Sequence, residues 1–383
     1  MNIMAFEQGE DGCSEYRARQ PLEALRQRGN DVFFIKGNAE VGELLDRLPG
    51  CDMLFINNRT GRDVAKLVHI IKKRLNPAII KDGYAPVKIA VDYDDNVIDV
   101  NPLSDSYRYG GTEEAGVKDA EEITYIWKDG QSGFNIKRNK RNQAYILSII
   151  KNADLLTTTT PVIGGFYKQY NNNIAILPNA IDFTKWDVRR KRPRLDNKIR
   201  IGWHGGASHY VDFKFIIEPL RRILQEFPDV SMQFFGHAWA QAKFNPRQII
   251  TQEWTPINAF PLKMIDTAPD IAIIPIEDNR FNACKSSIKY CEYAALKVPC
   301  LVQNNLPYTL DCADGENALT FNSQEECYRK LKRLILDGIL RKKLAEQAYW
   351  YVRKNYELDG VAAMYDDAFM KLTATDNMEI ITL

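Results

Sequence analysis

The sequence predicts an α/β protein of two doubly wound parallel-sheet domains, and three observations carry that expectation. Short apolar runs alternate with helical patterns through residues 1–183. A basic, proline-bearing run, Asp187–Arg200, then breaks the pattern. After it the same alternation starts again. Alternating strands and helices are the signature of parallel sheets covered by helices, and 383 residues exceed one comfortable core.

In the first half, Asn2–Phe6 reads as a strand and Glu7–Ser14 as a loop with two glycines. A helix follows over Glu15–Arg28, with Tyr16, Ala18, Leu22 and Leu25 at apolar positions, and Gly29 ends it. Further strands are expected at Asp31–Ile35, Asp52–Ile56, Lys88–Val91, Asp154–Thr158 and Ile174–Leu177, with helices over Asp63–Leu75 and Arg138–Lys151. The fourth strand ends in an acidic turn, Asp92-Tyr93-Asp94-Asp95-Asn96. Polar, glycine-bearing Asn101–Phe134 fits no element, and long loops of that kind are usually functional.

The second half opens with a strand at Ile199–Trp203, a glycine turn HGGASH and a helix over Asp212–Phe227. Strands at Ser231–Phe235 and Ile249–Gln252 and a helix at Leu262–Asp266 follow. The stretch Asp270–Val302 then reads as strand, loop, helix and strand, a βαβ unit. On its helix, from about Ser286 to Leu296, residues Lys285, Lys289, Glu292 and Leu296 fall on one stripe. Asn282-Ala283-Cys284 delivers the N-terminus with its free N–H groups. Two lysines there suit a diphosphate and a glutamate suits sugar hydroxyls; equally, Lys289 and Glu292 pair on a solvated face. Helices at Gln324–Asp337, Ile339–Tyr356 and Gly360–Leu372 close the pattern, the last expected to pack back on the first half, and the tail from Thr373 reads as frayed. The expected domains are thus 1–183 and 201–356, with 184–200 as linker.

Lys+Arg 51 against Asp+Glu 50 provides no global field for nucleic acid or anionic membrane. Seven cysteines without metal-type pairing read as reduced core thiols of a cytoplasmic protein. The N-terminal residues do not read as a signal peptide, and no apolar run approaches a membrane span.

The string FNACKSSIKYCEYAALKVPCLV, with DIAIIP before it, resembles the donor-binding segment of the GT-B glycosyltransferases of group 1, or family 4. IRIGWHGGASHYVDF resembles the first strand and turn of that family's C-terminal domain, and ILPNAIDFTKW its domain junction. VDYDDNVIDVNPLSDSYRYGGTEE and ADLLTTTTPV are similar to a bacterial or phage subgroup. The resemblance implies two Rossmann-like domains facing a central cleft. It also implies retaining transfer of a sugar from a nucleotide diphosphate to an acceptor hydroxyl. That family carries two glutamates eight positions apart on the donor-site helix. Glu292 takes the second place, which holds ribose, and Cys284 stands in the first; Lys285 is then the diphosphate ligand. A sugar-nucleotide epimerase of the same architecture, or a non-catalytic sugar-nucleotide-binding protein, are the alternatives.

Such a transfer relies on electrostatic stabilisation and positioning. Gly205-Gly206 lets backbone approach a phosphate or is simply a tight turn, with Ser208, Asn282 and Ser286 as further donor contacts. His209 either donates to phosphate or is satisfied by Asp212, and His204 reads as structural. Trp254 either meets the base or packs. On the acceptor side stand Gly12, Cys13, Ser14 and Arg17, with Asp95. Asp92 and Asp94 are candidates to orient or deprotonate the acceptor hydroxyl, and Lys285 to stabilise the leaving group. Three neighbouring acids also suit a metal, but the family works without one, so no metal or other cofactor is expected. A surface glycan or, for a phage protein, a hydroxymethylated DNA base is the expected acceptor; Lys137–Arg141 and Arg189–Arg194 would suit a polyanion.

Overall fold

The structure, a computed structural model, describes residues 1–7, 9–35, 41–119, 123–191, 196, 198–206, 209–236 and 239–374. Ser208 lies outside the described residues, as do positions 192–195 and 197 of the expected linker and 375–383 of the tail. Two six-stranded sheets, parallel throughout, form the two halves.

The first sheet contains β1 (Asn2–Phe6), β2 (Asp31–Ile35), β3 (Met53–Asn57), β4 (Lys88–Asp92), β7 (Leu155–Thr158) and β8 (Ile174–Ile176), in the order β2-β1-β3-β4-β7-β8. The second contains β9 (Arg200–Gly205), β10 (Ser231–Gly236), β11 (Ile249–Gln252), β12 (Ile271–Ile274), β13 (Cys300–Gln303) and β14 (Leu319–Phe321), ordered β11-β10-β9-β12-β13-β14. Their central strands are buried on both faces, which is why they read as unbroken apolar runs rather than alternating ones. In both sheets the order reverses beside the first strand, the place where α/β sheets open a crevice.

The unassigned segment 101–134 is a small subdomain of its own. It carries a helical turn at Tyr107–Gly110 and an antiparallel hairpin, β5 (Ala115–Lys118) with β6 (Thr124–Trp127). Tyr107, Trp127 and Phe134 form its aromatic core. The hairpin reaches the second half, where Asp119 pairs with Lys214, both buried.

Helix Leu358–Ala374 lies against helix Gln20–Gln27, and Val361, Tyr365 and Phe369 complete the apolar layer over β1 and β3. The chain crosses between halves twice at one place: Ile181 and Glu357 form a bridge, and Trp186 is already buried among second-half residues. Among the described residues no helix is long and apolar enough to cross a membrane.

Candidate active site

A cavity of about 460 Å³ opens where the two halves face each other. Its second-half wall starts at the end of β9. Gly205 takes no side chain there, because a Cβ would sit 2.8 Å from the Trp203 ring, whereas space above Gly206 is open. Gly206 therefore offers bare backbone to whatever enters. Lys285 and Lys289 line the same wall, and Lys289 Nζ lies 3.4 Å from where a Gly205 Cβ would be.

The local geometry differs from one continuous helix. A short turn, Arg280–Ala283, capped by Asn279, precedes the main helix, Ile288–Ala295. Lys285 and Ser286 thus stand in the turn before that helix rather than on it. Asp212 fixes this turn: its Oδ1 accepts from Asn282 Nδ2 (2.9 Å) and from the Glu277 N–H (2.9 Å). Asn282 is buried in that role and lines no part of the main cavity, which removes it from the donor contacts.

Burial and the neighbouring Lys285 bring Lys289 down to about 7. Burial, then the two lysines, hold His209 at about 3, against the pull of Asp212. The ring is therefore neutral; its Nδ1 donates to Asp212 Oδ2 at 2.8 Å, the local pairing weighed above, and Nε2 is left without a proton to give.

Glu292 is 4% exposed and joins three elements. Tyr16 Oη donates to Oε1 and His204 Nε2 to Oε2, both at 2.7 Å. His204 is buried, as a structural residue should be, but it also lines the cavity. Trp254 lines the cavity while one edge of its ring covers Gly236, where φ is +89° and a Cβ would meet the ring at 2.7 Å. It packs and remains 63% exposed.

The first-half wall holds Gly12, Cys13, Tyr16, Asp94 and Asp95, together with Glu10 and Asp11. Asp11 caps the helix by accepting the Ser14 N–H at 2.7 Å. A π turn at Glu15–Arg19 follows, of the kind that re-aims side chains at functional sites. Burial, then the charges of Asp95 and Asp92, push Asp94 up to about 7, with the neighbouring Cys13 and Arg17 opposing. Asp95 is also raised by burial, with Lys285 opposing.

Three first-half expectations are corrected. Arg17 does not reach the cleft: it is fully buried and forms a two-pronged ion pair with Asp92, Nη2 to Oδ2 at 2.6 Å and Nε to Oδ1 at 3.2 Å. Asp92 is consumed by that pair and by Asn57 and Thr157, so it has no free lone pair for an acceptor and is not a catalytic candidate. Ser14 is buried and accepts from the Gly9 N–H instead of facing the cavity.

Cys284 is also absent from the cavity wall. Its 2% exposed side chain sits in the apolar cluster of the first half, beside Asn96 Nδ2 at 3.9 Å. A thiol is at home there and a carboxylate would not be. Asn179 was not singled out from the sequence; its Nδ2 donates to Ser286 Oγ at 2.9 Å across the junction.

No protein-family model matches the chain, and no curated protein matches it. Solved structures do. A sucrose-phosphate synthase from Thermosynechococcus elongatus superposes with a TM-score of 0.63 at 11% identity, covering 98% of this chain and 100% of that one. Anabaena HepE, solved with UDP-glucose, gives 0.62 at 10%, with 97% and 100% covered. A glycosyltransferase from Rickettsia africae gives 0.60 at 13%, with 97% and 98% covered. The fold is GT-B. In the GT-B fold the cavity occupies the crevice at the carboxyl ends of both sheets, where β9 and β12 of one half confront β4 of the other.

Proposed function

We propose that the chain transfers a sugar from a nucleotide diphosphate sugar to an acceptor hydroxyl, with retention at the anomeric carbon and no metal. One observation carries the reading: the bare backbone of Gly206 and two lysines converge on one wall of a GT-B crevice, while two raised carboxyls face them from the other. The lysines neutralise the departing diphosphate, and the open backbone admits it. Asp94, once ionised, accepts the hydrogen bond of the incoming hydroxyl and orients it; the proton passes to the leaving phosphate oxygen as the sugar–phosphate bond breaks. That HepE was solved with UDP-glucose supports a uridine donor. Calorimetry with UDP- and GDP-sugars, followed by turnover with and without acceptors, tests the proposal. No binding by any donor overturns it, and conversion of donor alone to an epimer points to the epimerase instead.

The two groups near 7 set opposite limbs of the pH profile. Asp94 works ionised and Lys289 works protonated, so kcat/KM rises with pH through the first and falls through the second, a bell centred near neutrality. Asp94→Asn removes the acid limb and Lys289→Met the alkaline one.

A bound diphosphate offsets the desolvation and the Lys285 charge that depress Lys289, and so raises its pKa. Binding of UDP at mildly alkaline pH is therefore expected to take up close to one proton. The enthalpy measured in buffers of different ionisation heat reads this directly, and Lys289→Met abolishes the difference.

A further inference from the structure

A second cavity, about 540 Å³, lies on the opposite flank of the helical stretch that holds Tyr16. Glu10 stands on the wall of both cavities. The second one is lined by five carboxylates, Glu7, Glu10, Glu15, Glu23 and Asp182, against Arg19 and Lys185 as its cations. Arg19 is held by Glu7 and Lys185 by Glu15, so neither base is left over for an anionic guest; Glu23 is in turn held by Arg26, which leaves Glu10 and Asp182 as the surplus carboxylates.

Gln20 adds an independent observation. It is 5% exposed, lines this second cavity, and gives its Nε2 to Glu15 at 3.0 Å while Oε1 accepts nothing. The main cavity repeats the pattern. Asp94 Oδ1, Asn179 Oδ1 and His204 Nδ1 are buried on its wall without partners. The three oxygens among these, Gln20 Oε1, Asn179 Oδ1 and Oδ1 of ionised Asp94, can only accept and therefore require hydrogen-bond donors, and buried polar groups left unmet are costly. A phosphate brings acceptors alone. Hydroxyls and ammonium groups bring donors, and the surplus of carboxylates favours the ammonium. Among the described residues no group of His, Cys, Asp and Glu side chains is placed to hold a metal ion in its stead. Among the described residues, the basic stretches around Arg138 and Arg189 contribute none to either cavity.

We propose that the acceptor is an amine-bearing polyhydroxyl compound, an amino-sugar oligomer in chemical class, which lies with one hydroxyl at Asp94 and runs past Glu10 into the second cavity. The proposal rests on the glycosyl-transfer reading and turns against a polyanionic acceptor such as DNA. The test uses the full chain saturated with UDP and a β-linked glucosamine pentamer as probe, followed by calorimetry. The pentamer is expected to bind, to bind more weakly as salt rises, and to lose roughly tenfold in affinity in the double variant Glu10→Gln, Gln20→Leu. Duplex DNA carrying hydroxymethylcytosine is expected neither to bind nor to compete. If UDP itself fails to bind, the transferase reading falls and takes this one with it. If UDP binds while the pentamer does not, or the double variant binds it as well as wild type, or DNA displaces it, this proposal alone is overturned.

Discussion

Lys285→Ala is expected to lower kcat/KM by roughly 10²–10³, about 2.7–4 kcal/mol of transition-state stabilisation, the scale seen when one preorganised donor is removed from a developing anion. The melting temperature should hardly move. Lys285 is half-buried in a turn fixed by other residues, Asn279 at its start and Asp212 through Asn282, and its own contact is with the Phe281 ring at 5.1 Å. Lys285→Arg should restore part of the rate, since the charge returns in a different shape. Release of UDP from donor and acceptor measures all three proteins. Turnover of the alanine variant at the wild-type rate would remove Lys285 from the mechanism and leave that part to Lys289.

Arg17→Met is expected to act in the opposite way, on the fold and not on the chemistry. The change leaves the Asp92 carboxylate buried with Asn57 and Thr157 but without its counter-charge. Breaking a buried pair from one side costs about 3–5 kcal/mol, which for a domain of this size lowers the melting temperature by roughly 6–20 °C. The Arg17 contacts with the Leu177 carbonyl and the Tyr365 ring go as well. Adding Asp92→Asn should recover much of the loss, because it removes the stranded charge. Acceptor KM should stay at its wild-type value in whatever fraction is folded. A variant that melts normally but loses affinity for acceptor would return Arg17 to the cleft.

Those two residues show where sequence reading stops. Arg17 and Asp92 lie 75 positions apart, and nothing local marks their pairing. An arginine at a helix start and an aspartate at a strand end look the same whether they face solvent, ligand or each other. Lys285 and Glu292, by contrast, sit close together in one βαβ unit, where a local pattern marks both, and both line the cavity. The strands were legible because parallel strands buried on both faces are uniformly apolar, as in Met53–Asn57. The hairpin at 115–127 was not, because its four-residue strands alternate on a half-exposed surface and its core is three aromatic rings scattered over 28 positions, Tyr107 to Phe134. Tyr16 was visible as an apolar position of a helix. Its hydroxyl bond to Glu292 joins residues 276 positions apart and was beyond any local signal.

The return of helix Leu358–Ala374 to the first half bears on how the protein is made. Phe55 on β3 finds two of its aromatic neighbours, Tyr365 and Phe369, in a stretch that leaves the ribosome after the entire second sheet. The Tyr365 hydroxyl also bonds the Arg17 carbonyl, beside the buried ion pair. During synthesis that face of the amino-terminal sheet therefore waits only partly covered, by Ala18, Leu22 and Leu25, whereas the sheet translated second finds its covering helices close behind it. Completion would run in reverse order of translation, and a nascent chain stalled before Leu358 would be a client for holding chaperones rather than a finished half.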